Sequence, residues 1–424
     1  MSKVSDDILP RLSADACAYP PEGHALRLLL RVLAGTLPVS EAVVALRGLG
    51  VSPSRLLRMM AAHGIGGRAL PGGLLEGVLD GPSLALLRAS DRMAAAWNLR
   101  LFEAQRPLDV LLSGAGRPYR YAKGVLLGWR FHGDLTTRAS CDIDVMVRPA
   151  DVACFRGLLR TAGYEEVHPF PEGHPRYGLW LNREAVFRSP PDGGVPVHVE
   201  LQWSPVLPFY RMRVDPAGLL EGGRQLRLGG VDWPVPDDEV QLTVLLLHHG
   251  VTDGWRSLRH VLDLALFLRR MGAGIDWTGY RRRLDAMGLY HHAAAGFGLC
   301  RSLTGVEVPA CFGVSPALLR RLEATLLTER QLTRDQRSWP FLRRQWLLAG
   351  GLRGRARLIL GQLQKGVSPG QAELEGFPLP AGLFPAYYLL KPLRPLWRPF
   401  LTRVSGGLLP EKGEGVARSG PAGA

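Results

Sequence analysis

The sequence predicts an α+β fold: a small mixed sheet flanked by helical N- and C-terminal regions. Three patterns predict it. Residues 22–105 place apolar side chains at helical spacing, with Ala25, Leu28, Leu29 and Val32 on one face and Leu56, Leu57, Met60 and Ala61 on another. Near residue 107 the pattern changes to short period-two segments separated by Gly- and Pro-rich turns. Helical spacing returns from Asp237 to about Leu332. Strands and helices mixed over roughly a hundred residues suit one small α+β or α/β layer.

Within that outline the expected elements follow in order. The N-terminal helical region, 1–106, is punctuated at 48–50, 64–67 and 71–73. The mixed core, 107–236, is expected to hold a strand at 119–123, a helix at 124–131, a strand at 141–148 and a helix at 151–162. Strands at 179–187 and 195–203 complete it. The helical domain 237–336 carries candidates at 239–249, 257–270, 278–287 and 291–303. A basic helical extension, 337–405, and a Gly-rich tail expected to be disordered, 406–424, end the chain.

Composition narrows the class. Apolar residues are 46% of 424 and charged residues 21%, a globular mix that rules out a mainly disordered chain. Five cysteines are too few, and odd in number, for a disulfide scaffold, and none is spaced as CxxC for structural zinc. The first thirty residues lack the apolar stretch of a signal peptide, and no run approaches the ~18–20 apolar residues of a membrane span. A cytoplasmic protein without a transmembrane segment is expected.

The formal charge is +14, from 52 Lys+Arg against 38 Asp+Glu. Only five of these cations are lysines; with 51 Gly and 33 Pro, the arginine excess follows GC-rich coding. Residues 337–403 hold 11 Lys/Arg against Glu373 and Glu375, a net of +9, interleaved with Trp339, Trp346, Phe384, Tyr387, Tyr388 and Trp397. That segment suits a cleft wall facing an acidic or phosphorylated partner, an anionic membrane surface or single-stranded nucleic acid. The plainest reading, a helical extension packed on the domain with its arginines solvated, comes first. No nucleic-acid-binding module is recognisable, so nucleic acid is not the expected partner.

The chemistry concentrates in 141–148. As a strand it turns Ile143, Val145 and Val147 to one side and Asp142, Asp144 and Met146 to the other. Two carboxylates about 5 Å apart repel by roughly 3 kcal/mol at an effective dielectric of about 20, a cost that a cation removes. Mg²⁺ suits such oxygens and leaves room for water and phosphates. Strand 195–203 repeats the alternation, with His198, Glu200 and Gln202 opposite Val197, Val199 and Leu201. If the two strands are neighbours, Glu200 completes a three-carboxylate cluster of the kind that holds divalent ions for phosphoryl or nucleotidyl transfer. Otherwise these are solvated strand carboxylates. Upstream, Lys123-Gly124 joins a strand to a helix whose N-terminus favours a phosphate, and Arg138 is suited to phosphate oxygens. Each also reads as ordinary surface structure. Arg259 and Asp263, four apart on a helix, form either a structural ion pair or part of a substrate site. His248 and His249 read as capping or pocket-lining groups rather than zinc ligands, there being no cysteine partner or third His at metal spacing.

The combination of Lys123-Gly124, Arg138, Asp142-Ile143-Asp144-Val145-Met146-Val147-Arg148-Pro149 and Gly163-Tyr164 resembles the nucleotidyltransferase superfamily with the DNA polymerase β-like fold. More closely it is similar to the bacterial "uncharacterised nucleotidyltransferase" family, often found in lasso-peptide and polysaccharide biosynthetic clusters. His198-Val199-Glu200-Leu201-Gln202-Trp203, His248-His249 and the run from Trp255 to Ala265 continue the likeness over about 22–400.

The resemblance implies a polymerase β-like core with Asp142, Asp144 and Glu200 as catalytic metal carboxylates for Mg²⁺ or Mn²⁺. It implies Lys123, Gly124 and Arg138 around the NTP phosphates, and His198, His248, Trp255, Arg259 and Asp263 on the substrate side. The implied activity is transfer of an NMP from an NTP to a small-molecule, sugar or peptide acceptor, alongside biosynthetic-cluster proteins. Three positions depart from the pattern: Val125 stands for the usual Ser after the glycine, Glu200 for Asp, and Gln202 for His. A kinase-type phosphotransferase and a degenerate nucleotide-binding or scaffolding subunit of a natural-product complex stay open as alternatives.

Overall fold

The computed structural model describes residues 19–167, 174–191, 193–328 and 338–395. The expected tail 406–424 lies outside these residues.

The architecture is α+β. Five strands form one mixed sheet: β1 (Tyr119–Arg120), β2 (Ile143–Val147), β3 (Glu165–Glu166), β4 (Glu184–Arg188) and β5 (His198–Gln202), in the order β1-β2-β5-β4-β3. β2 and β5 are parallel, and the other neighbours antiparallel. Parallel neighbours need a crossover, here the helix Val152–Thr161 with β3, the helix Pro175–Leu181 and β4. Alternation then does what the sequence pattern dictates. Ile143, Val145, Val147, Val197, Val199 and Leu201 share one buried cluster with Phe155 and Leu159 of the crossover helix, leaving the other sheet face for polar residues.

Two segments differ from expectation. Residues 179–187 do not form one strand: the helix Pro175–Leu181 ends there and β4 begins at Glu184. Pro175 starts that helix at a position needing no N–H, and its Leu179 carbonyl accepts the Trp203 indole N–H at 2.8 Å. Residues 239–249 do not form one helix either. An α-helix, Asp238–Leu245, passes into a π-helix, Leu246–Thr252.

A hairpin of β6 (Arg224–Leu228) and β7 (Val231–Val235) is absent from the sequence reading, although Gly229-Gly230 between apolar runs marks it. Both glycines have positive φ, 59° and 81°, as the tight hairpin turn requires.

The helices around the sheet share one core. Leu26 and Leu29 of the helix Pro21–Leu33 cluster with Leu264 of Leu258–Met271, Phe297 of Tyr290–Thr304 and Leu326 of Pro316–Leu326. The helix Gly81–Ser113 runs unbroken across the expected 106/107 boundary and lends Leu101, Leu108 and Leu112 to the sheet core. The short helix Gly124–His132 joins the two cores: Val125 and Leu126 face the sheet cluster, Leu127 and Phe131 the helical one. Among the described residues, no helix is long and apolar enough to cross a membrane.

The basic extension begins as a packed helix, Trp339–Leu348, burying Phe341, Arg344, Gln345 and Leu348. Arg344 donates to the carbonyls of Gly254 and Trp255, the latter at 2.7 Å, and Gln345 donates to the Val251 carbonyl at 2.7 Å. The next helix, Leu352–Val367, leaves Leu352, Ile359, Leu360, Leu363 and Val367 exposed.

Arg344→Ala removes the donors from two buried carbonyls on the loop after the π-helix. The expected loss is about 2–4 kcal/mol, read as a lower urea midpoint at unchanged m-value.

Candidate active site

The sheet register creates the site. β2 and β5 run parallel with Asp144 directly opposite Glu200 and Met146 opposite Gln202. Asp144 and Glu200 are therefore lateral neighbours on the polar face, both buried. Gln202, one pleat further on, places Nε2 2.7 Å from Asp144 Oδ1 and 2.7 Å from Glu200 Oε2, and 3.2 Å from Glu184 Oε2 on β4. An amide that faces three carboxylates must present its NH₂, because its oxygen would only add repulsion.

Lys123 supplies the countercharge. Its Nζ lies 2.6 Å from Asp144 Oδ1, with both groups more than nine-tenths buried. Lys123 caps the helix Gly124–His132, and Gly124 adopts φ +68°, which sends the chain sharply from strand to helix. A Cβ at Gly124 would meet the Asp142 backbone oxygen at 3.4 Å, so the helix start sits against the entry to β2. Asp142 is buried at that entry.

Behind this floor lies a second, fully buried layer. Arg138 grips Asp263 with two hydrogen bonds, Nε to Oδ1 at 3.0 Å and Nη2 to Oδ2 at 2.9 Å. His249 Nε2 meets the same Oδ2 at 3.1 Å. Burial works against the Arg138 charge, but Asp263, and after it Asp144 and Asp142, outweigh burial and raise its pKa. Burial likewise works against the Asp263 carboxylate, and Arg138 with the hydrogen bond from His249 holds it far below the usual carboxylate range.

This layer corrects three expectations. Asp263 does not pair with Arg259: the Arg138 fork occupies both its oxygens, and Arg259 instead donates Nη1 to the Ala139 carbonyl at 3.1 Å. Arg138 turns that fork to Asp263 rather than toward a phosphate-binding surface. Trp255 offers no face to substrate. It is fully buried, its indole N–H donating to the His292 carbonyl at 2.8 Å and its ring lying against Gly296.

His198 is partly exposed at the start of β5, opposite Arg188. His248 lines a small cavity of about 10 Å³ with Lys123, Gln202, Met146 and Ser204, and so borders the carboxylate floor. Among the described residues, the three metal-type side chains whose donor atoms lie within 4.8 Å of one another are His248, His249 and Asp253; the Asp142, Asp144 and Glu200 oxygens do not form such a group.

Sequence reasoning missed Glu184, hidden in a segment read as one longer strand, and Asp253, whose tie to His248 arises only from the π-helix. Gln202 was legible only as a departure from a pattern; its bridging position needs the register of β2 on β5.

A small mixed sheet with helical flanks is consistent with the core of a nucleotidyltransferase. The chain belongs to the uncharacterised nucleotidyltransferase family, whose model matches residues 50–305, a narrower span than the sequence resemblance. Comparison with curated proteins and with solved structures gave no match.

Asp263→Asn leaves Arg138 charged without its partner and is expected to cost about 3–5 kcal/mol in denaturant unfolding, most of it recovered in Arg138→Met/Asp263→Leu. Burial also depresses the pKa of His63 and His292 to about 4, and those of His248, His249 and His260 below the ordinary 6.5. Between 6.5 and about 4 the unfolded chain thus binds protons that the folded chain refuses, so stability is lost as pH falls through that window. Each such histidine steepens the loss by up to about 1.4 kcal/mol per pH unit, measurable as unfolding midpoints across the window.

Proposed function

We propose that this protein is a divalent-metal-dependent nucleotidyltransferase that moves an NMP from an NTP to a small-molecule, sugar or peptide acceptor in a biosynthetic pathway. Residues 107–236 form its catalytic core and 237–336 its substrate side. It works in the cytoplasm beside biosynthetic-cluster proteins. The observation that carries this is the pairing of Asp144 with Glu200 across the parallel strands β2 and β5.

The donor set fits Mg²⁺ or Mn²⁺. Asp144 and Glu200 are hard carboxylate ligands whose oxygens converge closely enough to share one amide nitrogen at 2.7 Å each, and Asp142 lies at the entry to the same strand. When bound, the ion supplies Lewis-acid charge neutralisation at the phosphates.

The remaining work belongs to the chain. The Lys123-Gly124 helix start offers an ammonium group and backbone amides to the anion. Glu200 orients the acceptor hydroxyl and takes its proton. The acceptor oxygen bonds to the α-phosphorus, the bond from that phosphorus to the bridging oxygen breaks, and pyrophosphate leaves with the bond's electron pair. Asp263, through Arg138, keeps the backing of the carboxylates fixed.

One observation favours a second reading, a binding subunit without turnover. Val125 is buried where the superfamily pattern supplies a phosphate-binding hydroxyl. Asp142→Ala and Asp144→Asn are each expected to lower transfer from labelled NTP at least about a thousandfold while leaving the fold intact by circular dichroism. Full activity in either purified variant would sink the assignment. Metal-dependent NTP binding by the wild type without any product in mass spectrometry would establish the binding subunit, and release of NDP together with a phosphorylated acceptor would establish a kinase.

A further inference from the structure

The π-helix Leu246–Thr252 has a consequence beyond the carboxylate floor. Asp253 N–H closes on the His248 carbonyl five residues back, at 2.9 Å, and Trp255 N–H reaches the His249 carbonyl at 2.7 Å. To make that turn Trp255 adopts φ +55°, a region that residues with a Cβ avoid. π-turns and strained backbone concentrate at functional sites.

Here the turn brings three donors close together. His248 Nδ1 lies 3.2 Å from His249 Nδ1 and 3.4 Å from Asp253 Oδ2, and all three side chains bring a donor atom within 4.8 Å of one another. Zn²⁺ bonds of about 2.0–2.1 Å in a tetrahedron set its donor atoms about 3.3–3.4 Å apart, close to the two separations from His248 Nδ1.

The outer contacts point the same way. Asp263, ionised by Arg138, must accept from His249 Nε2, so the His249 proton sits on Nε2 and its Nδ1 lone pair faces His248. A carboxylate behind a histidine is the usual support of a metal-bound imidazole. His260 stacks on His249 with ring centroids 4.2 Å apart, and Arg256 fixes the other Asp253 oxygen at 2.9 Å.

The geometry points to a divalent transition-metal site of the Zn²⁺ type on His248 Nδ1, His249 Nδ1 and the Asp253 carboxylate, distinct from the Asp142, Asp144 and Glu200 floor. Two imidazoles and one carboxylate are a borderline donor set that suits Zn²⁺ over Mg²⁺. Three protein ligands leave the fourth position open. The cavity that His248 borders with Lys123 and Gln202, about 10 Å³, has room for a single water. His248 lines a pocket, as expected for these histidines, and the π-turn adds Asp253 as a third donor that the sequence did not show.

The test uses the full-length protein, stripped with chelator and titrated with Co²⁺ as a spectroscopic probe in excess Mg²⁺. One equivalent of Co²⁺ is expected to give intense visible ligand-field bands of tetrahedral type, abolished by Zn²⁺ and retained in Asp142→Ala. His249→Gln and Asp253→Asn, checked for folding, are expected to weaken Co²⁺ binding at least about tenfold. The wild-type titration stands whether or not either variant folds. Absence of the bands in the wild type, their loss in Asp142→Ala, or Co²⁺ affinity unchanged in both folded variants would overturn the site. None of these outcomes depends on nucleotide turnover.

Discussion

The Arg138–Asp263 pair is the joint on which the rest of the molecule depends. Arg138 lies on the loop that leads into β2, and Asp263 on the helix Leu258–Met271. Neither charge is tolerable alone in a fully buried position, so each fixes where the other element must lie. The same pair holds His249 through the Asp263 oxygen and sets a positive charge behind Asp142 and Asp144. The sheet and the helical half are thus aligned by one ion pair placed between the carboxylate floor and the histidines.

The helix Gly124–His132 repeats that alignment with apolar contacts. Two of its faces are buried in different cores, so its N-terminus, with Lys123 and Gly124, cannot shift without unpacking one of them. Arg130 at its far end is tied to Gln241 at 2.7 Å and Asp238 at 2.8 Å. On the outer side, the basic extension clamps the π-helix through Gln345 and the loop after it through Arg344. Part of the positive charge concentrated in 337–403 therefore serves packing: Arg344 is spent inside the molecule on backbone carbonyls.

How much of this the sequence revealed follows from the range of each signal. The period-two alternation at 141–148 and 195–203 located β2 and β5 to within a few residues and sorted core side chains from polar ones, because strand alternation is local. It also singled out Asp142, Asp144 and Glu200. Adjacency of the two strands was only a condition in that reading, since register is a long-range property. The partner of Asp263 was misjudged for the same reason. Four-residue spacing on a helix favours Arg259, whereas a buried carboxylate takes whichever guanidinium can reach both oxygens, here Arg138 from 125 residues away. The π-helix had no visible cue, because its apolar spacing reads as an ordinary helix.

Gln202, where the sequence resemblance leads one to expect histidine, is the departure with the clearest electrostatic meaning. Asp144, Glu200 and Glu184 converge on one side-chain nitrogen. A histidine there would be drawn toward its charged form by three carboxylates and would add a cation beside Lys123. The neutral amide meets the oxygens through hydrogen bonds without adding charge, and Lys123 places a positive charge in direct contact with Asp144. The carboxylates are thereby held in a buried floor by a neutral donor as well as by a cation. In a chain where 47 of 52 basic residues are arginine, a lysine at this position also fits. Its compact ammonium can sit on one carboxylate oxygen at 2.6 Å, whereas a guanidinium fork would span both.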